Sequence, residues 1–286
     1  MNQAAANVLH TVAELLESGT RSIGDASDTP DVDARVLLQA LLRRNHAWLI
    51  AHGDETVEPG MVRPFHDWVK RRSRSEPVAY ITGRKAFWTL DLKVTPDVLV
   101  PRPETEFLVQ RGLERIPLTE SVFVADLGTG SGAIGLSIAA QRPLCKVVAT
   151  DSSEAALKIA EQNKGRHGLR NIAFRRGNWY EPLGRELFSL VICNPPYVPW
   201  SHYEAALTYE PRDALFSGDR GIDALEIVIG GAGRHLEAGG WLLVEHGFDQ
   251  KAEVQGLFRS SGFDSIASLD DFAGHPRVTE GRKAIA

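Results

Sequence analysis

The sequence predicts an α/β protein in which a doubly wound sheet of about seven strands, within the usual range, follows an all-helical region and a β-hairpin. Two observations lead there. After Pro101, strand-length apolar runs alternate with helix-length ones, the pattern that builds parallel sheets with helices on both faces. Before Glu76, apolar residues recur at helical spacing.

Taken in order, Val8, Leu9, Val12, Leu15 and Leu16 give a first amphipathic helix over residues 5–16. Ala34, Leu37, Leu38, Leu41 and Leu42 give a second, with Pro30 and Asp31 where a helix start is expected. Pro64 precedes a third that runs to about Arg74. Val78–Ile81, Phe87–Leu92 and Val98–Val100 then read as short β-type runs, broken by Gly83 and Pro96. Strands are expected at Val122–Leu127, Val147–Thr150, Ile172–Arg175 and Leu187–Cys193, with helices at Gly132–Gln141 and Ser153–Lys164. A helix at Asp223–His235, a strand at Trp241–Glu245, a helix at Gln250–Ser260 and two weaker strands follow. These readings divide the chain into a helical domain over residues 1–83, a hairpin linker over 84–101 and an α/β domain over 102–286.

A chain of 286 residues can bury a large core, which excludes a disulfide miniprotein. Its two cysteines, Cys145 and Cys193, are too few for a disulfide framework or a zinc site and fit a reducing compartment. The nine histidines show no ligand spacing, so no metal is expected. Formal charge is -5, and residues 1–85 are balanced, so nothing demands a polyanion and no direct nucleic-acid substrate is expected. Lys70, Arg71, Arg72 and Arg74 read as a solvated helix face. No apolar run approaches the ~20 residues of a bilayer span, and residues 1–13 lack a secretory pattern. A cytoplasmic protein without membrane association is expected.

The first chemical motif is Asp126-Leu127-Gly128-Thr129-Gly130-Ser131-Gly132-Ala133, where an apolar strand gives way to a helix. In an open α/β sheet that is where ligands bind. Glycines let the backbone turn sharply and approach a ligand, and the helix start offers unpaired N–H groups. Asp151 closes the next strand, where a carboxylate can accept both hydroxyls of an adenosine ribose. Two cofactors compete here. Gly128, Gly130 and Ala133 satisfy a relaxed dinucleotide fingerprint, whereas Gly132 and Asp126 fit an S-adenosylmethionine pattern in which an acidic residue helps hold the methionine ammonium.

Asn194-Pro195-Pro196-Tyr197, directly after Leu187–Cys193, favours the second. The Asn194 amide oxygen and the Pro195 carbonyl can each accept one N–H of a planar amino group. Both prolines restrict φ and lack N–H groups, so the backbone presents acceptors in a stiff shape. The Tyr197 ring gives a planar group a face to pack on. The plainer reading is a Pro-Pro turn with a packed tyrosine.

With Glu76-Pro77-Val78-Ala79-Tyr80-Ile81-Thr82-Gly83, Val100-Pro101-Arg102-Pro103-Glu104-Thr105-Glu106, Glu210-Pro211-Arg212-Asp213-Ala214-Leu215 and Arg277-Val278-Thr279 beside these motifs, the sequence resembles the release factor glutamine N5-methyltransferase family of the HemK/PrmC type. The resemblance spans nearly the whole chain. It implies a seven-stranded Rossmann-like, S-adenosylmethionine-dependent methyltransferase domain, a helical N-terminal domain that docks the substrate, and a hairpin between them. It implies S-adenosyl-L-methionine as cofactor, S-adenosyl-L-homocysteine as product, and the Gly-Gly-Gln glutamine of bacterial class-1 release factors as substrate. Gly128, Thr129, Gly130, Ser131, Gly132, Asp151, Trp179 and Asn194 would contact the cofactor. Asn194, Pro195, Pro196 and Tyr197 would hold the glutamine, with Asn194, Pro195 and Tyr197 carrying the chemistry. Trp179, after the third strand, can also be read directly as a flat surface for adenine. The family often has an acidic residue where this chain has Asn178. Arg102–Glu106 and Glu210–Asp213 receive no chemical role. The alternative is an adenine N6 amino-methyltransferase on DNA or RNA, because the same four residues can hold an exocyclic amine of a flipped base.

Overall fold

The computed structural model describes residues 9–202, 209–271 and 273–285. It divides into two compact units, Met1–Gly83 and Arg84–Ala286.

The first unit is helical: α1 (Val12–Ile23), α2 (Pro30–Leu42), α3 (His46–Ala51), α4 (Pro59–Arg72) and α5 (Val78–Thr82). Thr11 starts α1 with a capping box, its hydroxyl accepting the Glu14 N–H while the Glu14 carboxylate accepts the Thr11 N–H. That cap fixes the helix later than the apolar spacing suggested; Leu9 lies ahead of it, exposed, and residues 5–8 of the expected helix lie outside the described residues. Val12, Leu15, Leu37, Leu38, Phe65 and Val69 form the core. Gly19 lets α1 come close, since a Cβ there would meet the Phe65 ring at 2.9 Å. Pro64 lies inside α4 and does not start it. Val78–Ile81, expected as a β-type run, is helical: Pro77 precedes its first turn, Gly83 ends it at φ 72°, and Tyr80 and Ile81 are buried.

The second unit opens with a two-stranded hairpin, β1 (Arg84–Phe87) and β2 (Leu90–Lys93), so Phe87–Leu92 is not one strand: it takes in the end of β1, the turn at Trp88 and Thr89, and most of β2. Asn163 pins it: its side chain accepts the Lys93 N–H and donates to the carbonyls of Lys93 and Ser131. Val98–Val100 is not a strand either, because the Val100 N–H goes to the Glu210 carboxylate at 3.2 Å instead of a ladder partner.

Then α6 (Pro103–Arg115), β3 (Phe123–Leu127), α7 (Ala133–Gln141), β4 (Lys146–Asp151), α8 (Glu154–His167), β5 (Ile172–Arg176), β6 (Phe188–Cys193), α9 (Asp223–Ala232), β7 (Leu236–Glu245), α10 (Lys251–Ser260), β8 (Phe263–Asp270) and β9 (Pro276–Lys283) follow. The sheet has seven strands in the order β5-β4-β3-β6-β7-β9-β8. Its first five run parallel, and β9 is antiparallel to both β7 and β8. β3 has β4 on one side and β6 on the other, so the winding reverses there and opens a crevice beyond the carboxyl ends of the strands. Two apolar layers, one including Leu108, Leu136 and Ile138 and the other Val191, Leu225 and Phe258, fill the unit. No helix among the described residues is long and apolar enough to cross a membrane.

Candidate functional site

The crevice holds a cavity of about 250 Å³ whose lining includes Gly128, Gly130, Asp151, Trp179, Asn194 and Pro196. The turn from β3 to α7 makes one wall, with Gly128, Gly130 and Gly132 at φ 68°, 56° and 87°, a left-handed backbone that favours glycine. A Cβ on Gly128 would stand 3.4 Å from the Trp179 ring and narrow the cradle between them. Asp151 ends β4 with its carboxylate already oriented: Oδ2 accepts the Gly130 N–H and Oδ1 the Ser153 N–H, both at 2.8 Å. Each oxygen keeps acceptor capacity for a ribose hydroxyl. Burial raises the Asp151 pKa, opposed by those two hydrogen bonds. Trp179 takes φ 46°, a costly conformation for a bulky residue, and the Thr150 hydroxyl holds its carbonyl at 2.9 Å. A flat ring, a diol acceptor and a glycine cradle around one cavity fit the adenosine part of S-adenosylmethionine.

Not every loop residue faces this space. Thr129 and Ser131 are buried, and Thr129, Ser131 and Gly132 stand behind the lining. The Thr129 hydroxyl donates to Asp126 Oδ2 at 2.5 Å, and the Ser131 carbonyl accepts from Asn163. Asp126, expected to help hold the methionine ammonium, is 0% exposed and braces the loop, with Oδ2 also accepting the Gly135 N–H at 2.9 Å. Its desolvation pushes its pKa up to about 6, against the hydrogen bonds from Thr129 and Gly135.

A second cavity, about 160 Å³, is lined by Arg102, Asn194, Pro195, Pro196 and Tyr197 among others, and shares Leu99, Asn194, Pro196 and Ala214 with the first. The four-residue motif after β6 therefore stands where the two spaces adjoin. Tyr197 donates its hydroxyl to Glu245 Oε1 at 3.0 Å, and Asn194 donates from Nδ2 to Thr105 Oγ1 at 3.1 Å. Burial and the Glu245 carboxylate hold the Tyr197 phenol well above its usual range, so it stays a neutral donor.

Sequence reasoning missed several members. Asp97, Val98 and Leu99 line the first cavity, as do Pro211, Asp213 and Ala214. Two stretches without an expected role meet here: Arg102 pairs with Glu210 at 2.6 Å, and Glu210 also takes the Val100 N–H. Thr105 and Glu245 were missed as well. The available signal was position, since Glu245 closes an apolar strand as Asp151 does. Arg277 is structural, bonding to Asp271 and to the His246 carbonyl. Asn178 lines the first cavity.

Family models match residues 14–83 as a PrmC N-terminal domain and residues 104–210 as a methyltransferase small domain. The release factor glutamine methyltransferase of Xylella fastidiosa (strain Temecula1) is 47% identical over 88% of this chain and 92% of its own length. That of Coxiella burnetii is 42% identical over 96% of this chain and 99% of its own. Among solved structures, a methyltransferase from Pyrococcus furiosus is 20% identical with a TM-score of 0.53, covering 70% of this chain and 92% of that one. The T. thermophilus 16S rRNA N2 G1207 methyltransferase, solved with AdoMet and guanosine, is 18% identical with a TM-score of 0.53 over 70% of this chain and 49% of its own. These two share the fold, the expected Rossmann-like methyltransferase architecture. With relatives this similar across nearly all of its length, the chain belongs to the release factor glutamine methyltransferase family.

Proposed function

We propose that this chain methylates the side-chain amide nitrogen, N5, of the glutamine in the Gly-Gly-Gln motif of bacterial class-1 peptide chain release factors, with S-adenosyl-L-methionine as donor. The observation that carries this reading is Asn194-Pro195-Pro196-Tyr197 at the junction of two cavities, one suited to a nucleoside and one to a planar side chain. The names of the relatives support the substrate. Acting on release factors makes it a cytoplasmic enzyme.

The bound sulfonium supplies an electrophilic methyl group. An amide nitrogen is a poor nucleophile, its lone pair delocalised into the carbonyl, so the chain must fix its plane and direction. Asn194 Oδ1 and the Pro195 carbonyl accept its two N–H groups and stabilise the positive charge that grows on nitrogen. Tyr197 gives the amide a ring to pack on. When the cofactor is bound, Asp151 would accept the ribose hydroxyls and Trp179 would offer its ring to adenine. A strong general base is unnecessary, because the alkylated nitrogen is acidic enough to lose its proton to water.

The test incubates the full chain with labelled S-adenosylmethionine and a purified release factor, and locates the label by mass spectrometry. Label on the Gly-Gly-Gln glutamine is expected. Methylation of adenine in DNA or RNA, with none of release factors, replaces this reading with an amino-methyltransferase on nucleic acid.

A further inference from the structure

Beneath the amide-holding motif runs a chain of hydrogen bonds that the reaction as derived does not use. Glu245, the last residue of β7, is 0% exposed and lines neither cavity. Its Oε1 accepts the Tyr197 hydroxyl at 3.0 Å and its Oε2 accepts the Thr105 hydroxyl at 2.8 Å. Thr105 Oγ1, only 4% exposed by residue, accepts Asn194 Nδ2–H at 3.1 Å.

The chain has a direction. An ionised carboxylate only accepts hydrogen bonds, and a threonine hydroxyl has one hydrogen to give. With that hydrogen spent on Glu245, Thr105 meets Asn194 as an acceptor. Asn194 must then turn its NH2 toward Thr105, which leaves Oδ1 as the free end of the amide. Were the amide reversed, two lone pairs would face each other inside the protein, and the cavity would meet a donor where the substrate amide also brings donors.

We propose that Glu245 is a positioning residue which, through Thr105, fixes the donor and acceptor sense of the Asn194 amide and holds the Tyr197 ring, so that Asn194 offers its oxygen to the nitrogen being methylated. This rests on the reading of Asn194–Tyr197 as the motif that holds the glutamine amide. Burial raises the Glu245 pKa to about 7, against the hydrogen bonds from Thr105 and Tyr197 and the Arg277 charge, with Glu104 adding to the rise. At pH 8 the carboxylate is therefore mostly ionised and the chain runs one way.

The test measures methyl transfer to a purified release factor at pH 8 with the full chain and its Thr105→Val, Thr105→Ser and Glu245→Gln variants, together with cofactor affinity and melting temperature. Thr105→Val keeps the volume and removes the hydroxyl; kcat should fall by about tenfold to a hundredfold, the scale of one lost buried hydrogen bond. Cofactor affinity should change less than about threefold, because neither residue lines the cofactor cavity. Thr105→Ser restores the hydroxyl and should restore kcat. Glu245→Gln can donate as well as accept, so it should lose kcat to a similar degree, and the Thr105→Val/Glu245→Gln double variant should be little worse than either single one. Should Glu245→Gln fail to fold, the valine and serine pair decides. Undiminished kcat in Thr105→Val overturns the proposal, and so does a loss that serine shares or that only follows melting temperature. A wild-type chain that labels no release factor overturns the functional reading and this inference with it, whereas active wild type with fully active variants overturns this inference alone.

Discussion

Asp151 has little orientation left to lose when a diol arrives, since two backbone N–H groups already hold its carboxylate. Asp151→Ala should weaken S-adenosylmethionine binding by about 1.5 to 3 kcal/mol, the worth of hydrogen bonds to a charged group, as read by calorimetry. Asn194 and Tyr197 separate chemistry from placement: Asn194→Ala should lose most turnover, while Tyr197→Ala should chiefly raise KM for the release factor in steady-state kinetics. Glu245 gives a pH signature. Its carboxyl has a pKa of about 7 in the folded chain against an ordinary 4.5, so the folded state binds this proton more tightly. The stability this confers is full below 4.5 and is lost as pH rises through about 7. By linkage the loss is about 3 kcal/mol at pH 8. Urea denaturation at pH 5 and pH 8 should show wild type losing more stability over that range than Glu245→Gln, with Asp126 contributing equally to both.

At the scale of elements, the Arg102–Glu210 pair ties the start of α6 to the stretch that carries Pro211 and Ala214, and the Val100 N–H to the same carboxylate. Arg102 is partly open to solvent, which tempers the pair, so Glu210→Ala should cost about 1 to 2 kcal/mol by urea denaturation. Cofactor affinity should fall with it, because Leu99 and Pro211 lose a support. The parallel strands β3, β4, β6 and β7 and the helix α7 were legible because each buries an apolar run of strand or helix length. Val78–Thr82 was not, since its β-branched residues favour a strand locally while Pro77, Gly83 and tertiary burial make it a helical turn. The motif residues lining the cavities could be read from short, contiguous patterns. Thr105 and Glu245 could not, because the bond that gives them meaning joins residues 140 apart in sequence.

Across the whole molecule, the helical unit and the α/β unit each have a core of their own. A Gly-Gly-Gln loop is flexible and loses entropy on entering a narrow site, so a second contact with the folded release factor raises its effective concentration. We propose that the helical unit makes that contact. Deleting residues 1–83 should cut methylation of an intact release factor far more than that of a short Gly-Gly-Gln peptide, and equal losses would remove the docking role. One property of the sheet reaches further still. Its latest strand in sequence, β9, is an interior one, seated between β7 and β8. While the chain is being synthesised, everything from β3 to β7 can emerge and pair, yet the edge of β7 that ends in Glu245 stays open until Pro276–Lys283 has left the ribosome. A nascent chain stopped short of Pro276 thus carries every residue that lines the two cavities while one edge of β7 is still without its neighbour.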